Sequence, residues 1–168
     1  LDLSPQLLAR LTGSGADASF SSLGLQWDDG RWIVSAELAR TTADAFTNSA
    51  TGAYFALARR FGSLTPYVSL AKQWQDQPLV NVAEATTDAE RYLITSFNRS
   101  RNQAQRSLTA GVRWDVLHNA AIKAEFAHMR TDSGAHGSFI ARDNDNAFAP
   151  GLDHQSINLM SISVDVVF

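Results

Sequence analysis

Apolar and polar residues alternate over segments of about ten residues, with very short turns at one end of the segments and long polar connectors at the other. A period of two is the side-chain period of a strand, so such segments present two chemically different faces when extended. Ser21 to Trp27 puts Leu23, Leu25 and Trp27 on one face and Ser22, Gly24 and Gln26 on the other. Asp28-Asp29-Gly30 supplies a turn that tolerates positive φ, and Arg31 to Thr41 returns with Trp32, Val34, Ala36 and Leu38 against Ile33, Ser35, Glu37 and Ala39. A second hairpin folds about Gly62-Ser63, setting Phe55, Leu57 and Phe61 against Val68, Leu70 and Trp74, with Pro66 near a strand start where a missing N–H is best tolerated. The third turns through Val116-Leu117-His118-Asn119 and carries Leu108, Ala110, Val112, Trp114, Ile122, Ala124 and Phe126 on its apolar face. A last strand sets Met160, Ile162, Val164, Val166 and Phe168 against Ser161, Ser163, Asp165 and Val167. The predicted elements are hairpins over 19–41, 51–74 and 106–131 and a closing strand over 157–168.

Strands of this length suit a tilted bilayer crossing and exceed the usual five or six residues, roughly, of globular sheets. Trp27, Trp32, Phe61, Tyr67 and Trp114 fall near turns, where an interfacial aromatic girdle would stand. Connectors at Gln75 to Gln105 and Asp132 to Gln155 are long, as expected when short turns face the periplasm and loops the exterior. No apolar run is long enough for a transmembrane helix, and the slightly negative mean hydropathy fits a wall in which only every second residue meets lipid. The expected fold is all-β, an antiparallel up-and-down transmembrane β-barrel. Seven strands is an odd number where closed bacterial barrels are even, so residues 1–168 are expected to be the C-terminal part of one larger barrel domain.

The balance of 14 Lys+Arg against 17 Asp+Glu lacks the basic excess that phosphate-backbone binding needs, which argues against nucleic acid. With no cysteine there is neither a disulfide framework nor a thiolate metal site. Two segments break the pattern. Asp88 to Phe97 fits a short strand, a loop helix or the start of a strand running into Arg106, and Ser4 to Leu11 reads as a helical turn with Ser4 as N-cap, Pro5 first inside and Gly13 past the end.

If the apolar parity faces lipid, the opposite parity faces a lumen: Gln26, Glu37, Arg60, Gln73, Arg113, Lys123, Glu125 and Asp165. Of these, Glu37, Arg60, Arg113, Lys123, Glu125 and Asp165 are the pore-lining candidates, since charge on the inner wall is the lever on selectivity. The plainer reading is a polar wall whose charges pair internally, Lys123 with Glu125 for example. Arg59 shares the face of Leu57 and Phe61, which is tolerable only near a turn, where it can snorkel to the interface. His118, His128, His136 and His154 have no metal-ligand spacing, and His154 with Ser156 lacks a nucleophile-elbow motif. Asp143-Asn144-Asp145-Asn146 lacks the glycine and glutamate of an EF-hand loop and reads as polar loop. No catalytic, cofactor or metal residue is predicted.

The run Ser161-Ile162-Ser163-Val164-Asp165-Val166-Val167-Phe168 resembles the C-terminal β-signal of Gram-negative outer-membrane proteins. It departs from that pattern at Ser163, where glycine is preferred, and at Val166, where a second aromatic is preferred. The segments Gly62 to Trp74 and Gly111 to Met129 resemble the late hairpins of proteobacterial porin-like proteins. The resemblance implies Ile162, Val164, Val166 and Phe168 as a membrane-insertion signal read by the barrel-assembly machinery. It further implies a monomeric or homotrimeric outer-membrane diffusion channel for small hydrophilic solutes, without a cofactor. A plugged structural or adhesion barrel, a barrel-borne hydrolase, and a soluble sandwich or lipocalin-like binder with its apolar face turned inward remain as alternatives.

Overall fold

The computed structural model describes residues 5, 8, 12, 15–44, 49–76, 80–139 and 154–167. Seven strands, β1 (Ala18–Asp28), β2 (Trp32–Ala43), β3 (Ala50–Arg59), β4 (Leu64–Gln75), β5 (Gln105–Leu117), β6 (Ala120–Thr131) and β7 (Ser156–Val166), form one sheet. Each is antiparallel to its neighbour, and spatial order follows sequence order, so the fold is all-β and up-and-down. β1 and β7 are the two edges, and the sheet is not closed. Phe168 lies outside the described residues.

Local chemistry makes the turns. After β1, the Asp28 carboxylate accepts from the Gly30 N–H (2.9 Å) and that of Asp29 from the N–H groups of Arg31 (2.8 Å) and Trp32 (2.6 Å), while Gly30 takes φ 85°. Those backbone donors hold the Asp29 carboxyl below its ordinary range, the Trp32 bond contributing most. Gly62 has φ 61°, and Phe61 and Leu64 exchange both backbone hydrogen bonds around Gly62-Ser63, so the positive φ falls at the first of two turn residues, where a tight hairpin needs glycine. In the third hairpin β5 runs on to Leu117, with a register shift between Asp115 and Leu117 that leaves His118-Asn119 as the turn. The expected four-residue turn is thus shorter, and Val116 is absorbed as a bulge.

The β4–β5 connector resolves the ambiguous segment as a helix, α1 (Asp88–Arg101), preceded by a 3-10 turn over Val82–Glu84. Thr87 and Glu90 form a reciprocal capping box, which satisfies N–H groups a helix start leaves open. The Asn98 side chain clasps the backbone of Val80 through both its groups, 3.2 and 2.7 Å, and Val80 and Ile94 bury completely against each other beside Val82 and Ala85. This small connector cluster holds the only large apolar side chains that are fully buried among the described residues. In the opening segment Pro5, Leu8 and Thr12 are helical; Ser4 and Gly13 lie outside the described residues.

Candidate functional site: the two faces of the sheet

Register sorts the side chains into two faces. One cross-strand row reads Trp27, Val34, Leu57, Val68, Ala110, Phe126 and Met160 from β1 to β7. The next row, on the opposite face, reads Gln26, Ser35, Ala56, Ser69, Thr109, Ala127 and Leu159. Large apolar side chains therefore crowd one face, and apart from Leu159 this second row is small or polar. The apolar face is the exposed one: Leu23 is 77 %, Ile162 78 % and Met160 80 % accessible. Along β4 to β6 the opposite parity is sheltered, with Thr65, Ala121 and Thr131 buried, so the sheet curves around its polar face.

All eight residues assigned to the inner wall share this concave face or sit at its turn end. At the short-turn end Arg60 donates two hydrogen bonds to Asp28 (2.6 and 2.7 Å), binding the first turn to the second. The Asp28 carboxylate keeps the Arg60 guanidinium protonated still more firmly than usual. Arg113 bridges Asp115 (2.8 Å) and Asp165 (3.4 Å), and Lys123 meets Glu125 at 3.0 Å. Ser161 donates to Glu125 at 3.4 Å. Glu37 stands apart: it makes no ion pair or hydrogen bond among the described residues, and it opens onto a groove of about 300 Å³ lined also by Gly52, Tyr54, Gln73 and Gln105. The candidates thus divide into a paired cluster near the turns and one lone carboxylate nearer the long connectors. Asp28 and Asp115, which complete the pairs, were not singled out in the sequence; both lie on the inner parity, which is the signal that finds them.

The aromatics divide as well. Trp27, Trp32, Phe61 and Trp114 stand on the apolar face at the short-turn end. Tyr67 departs from them: it shares the concave face, paired with Gly111, and its ring covers the space a Cβ there would occupy, with the Lys123 ammonium 5.5 Å from the ring centre. The Arg59 guanidinium lies over the rings of Trp32 (4.9 Å) and Phe61 (4.6 Å) at the turn end, which explains how a cation is accommodated on this parity. Ile162, Val164 and Val166 are exposed on the apolar face of edge strand β7.

His154 Nε2 accepts from Arg130 at 2.5 Å, His128 bonds Asn158 (2.8 Å), and His136 faces the carbonyl oxygens of Phe139 and Ser100. Among the described residues no three His, Asp or Glu side chains gather to hold a metal. Asp143 to Asn146 lie outside the described residues. No described helix is long and apolar enough to cross a membrane.

No family model and no curated protein matches the sequence. A similar solved structure is that of Pseudomonas aeruginosa OccK3 (OpdO), with a TM-score of 0.44 and 14 % sequence identity over 91 % of this chain and 45 % of that one. The chain spans a little under half the length of OccK3.

Proposed function

We propose that this chain forms part of the wall of a porin-like passive channel in a bacterial outer membrane, with small hydrophilic solutes passing along its concave face. The observation that carries the reading is the inverted burial: the large apolar side chains lie on the exposed face, and the half-buried Lys123–Glu125 pair lies on the opposite one. In water an apolar face of this extent would seek a partner or aggregate. In a bilayer it is the surface that lipid covers, and the charges behind it keep their water. Unpaired edges cost several kcal/mol per backbone group in lipid, so in the membrane β1 and β7 are covered by further strands of the same barrel.

Paired charges cancel one another's field at short range, so Asp28–Arg60 and Lys123–Glu125 shape the wall more than they select ions. Glu37, without a partner among the described residues and beside its groove, is the side chain that sets a preference for cations. The test is single-channel recording of the full-length protein in a planar bilayer, comparing wild type with Glu37→Lys and Arg113→Glu. Discrete open steps whose reversal potential moves toward anions in Glu37→Lys and toward cations in Arg113→Glu are expected. Demonstrably inserted protein that never conducts would sink the channel and leave a plugged barrel.

A further inference from the structure

The apolar face is interrupted at its long-connector end by one basic row. Lys72 of β4, Arg106 of β5 and Arg130 of β6 stand directly opposite one another, continuing a row that begins with Leu23, Leu38 and Ala53 and ends with Ser156. Like charges directly opposite across strands destabilise a sheet, and this row contains no acid to offset them. Nor do nearby acids serve. Asp76 is held by Arg40 at 2.9 Å, and Asp132, two residues past Arg130, forms no ion pair with it. Among the described residues Lys72 has only the ring of Trp74, at 5.3 Å, Arg130 only the His154 nitrogen, and Arg106 no polar partner at all.

Immediately below lies the row Phe55, Leu70, Leu108 and His128, and the two rows together bound a groove of about 560 Å³. Its floor is apolar apart from His128, and its rim is cationic. From this geometry we infer that Lys72, Arg106 and Arg130 bind the phosphate headgroup of an acylated lipid, whose chain lies along Phe55, Leu70 and Leu108. Two guanidinium forks suit the oxygens of a phosphomonoester, and the lysine adds a point charge. A phosphomonoester also carries more negative charge than a carboxylate, which matches three cations that have no acid partner among the described residues. The apolar floor selects a lipid over a free anion. The inference rests on the reading of this face as lipid-facing.

The experiment reconstitutes the full-length protein into vesicles of phosphatidylcholine alone or doped with phosphatidic acid. Insertion is scored by flotation and protease protection, and lipid retention by native mass spectrometry after release in detergent. Wild type is expected to insert into both and to retain phosphatidic acid over phosphatidylcholine. The triple variant Lys72→Gln, Arg106→Gln, Arg130→Gln inserts equally and loses about a hundredfold in apparent affinity. The charge-keeping variant Lys72→Arg, Arg106→Lys, Arg130→Lys recovers most of it. Failure to insert into phosphatidylcholine overturns the membrane reading itself. Insertion with equal retention of the two lipids, or with retention unchanged in the triple variant, overturns the site alone. Full displacement of phosphatidic acid by inorganic phosphate reduces the site to a plain anion site and overturns the lipid.

Discussion

Gly111 is where a single atom would be felt. A Cβ there would collide with the Tyr67 ring and stand 2.9 Å from the Ala124 carbonyl oxygen, so the aromatic covers the glycine across the strand pair and shields a stretch of backbone that lacks a side chain of its own. Gly111→Ala is expected to lower stability by about 1–3 kcal/mol, the usual penalty of overpacking, measured by urea unfolding of the reconstituted protein. Tyr67→Ala in the same chain should recover part of that loss. A double variant no more stable than Gly111→Ala alone would mean that the ring is not what Gly111 accommodates. Arg59 makes the complementary point. Its charge is acceptable on the apolar face because two rings take it up at the turn end, so residue type alone misjudges the position and neighbours decide it.

At the scale of elements, the strands were legible because the two faces of each carry different chemistry, which imposes a period of two over its whole length. Leu23, Leu25 and Trp27 could be assigned to one face before any register was known, and Gln26, Glu37 and Arg113 to the other. The α1 segment was not legible from periodicity, since Tyr92-Leu93-Ile94 is a short apolar run that suits a strand equally. Its signature was at the start instead, in Thr87-x-x-Glu90. What no parity argument could yield is pairing: Asp28 with Arg60, and Arg113 with Asp165, meet only because consecutive strands lie side by side and bring together residues 32 and 52 positions apart. Thr87→Ala should raise amide exchange in the first turn of α1 roughly fivefold while leaving the strands unchanged. The Glu90 carboxyl is held below its ordinary value, chiefly by the Thr86 hydroxyl and then by N–H groups of Thr86 and Thr87. A depressed folded pKa contributes stability above the unfolded value and loses it as pH falls through the folded one. Protection factors in α1 should therefore hold at neutral pH and drop on acidification below 4.5. Unchanged protection would mean that the carboxylate does not support the cap.

For the molecule as a whole, the decisive matter for the proposed function is whether the apolar face meets lipid. Nitroxide or fluorophore labels at Leu25→Cys, Leu70→Cys and Met160→Cys should be quenched by reagents carried on acyl chains, and labels at Ser69→Cys and Ser161→Cys by water-soluble ones. The reverse pattern would describe a soluble binder whose apolar side is its interior. Because spatial order repeats sequence order, every strand bonds only to the strands before and after it. A hairpin can then be gained or lost with new pairing needed only at the seam, every other register staying as it was. Circumference in such a sheet grows with strand number. In a channel of the proposed kind, bore is thus a quantity that gene duplication can alter in increments of two strands, leaving the chemistry of the wall untouched.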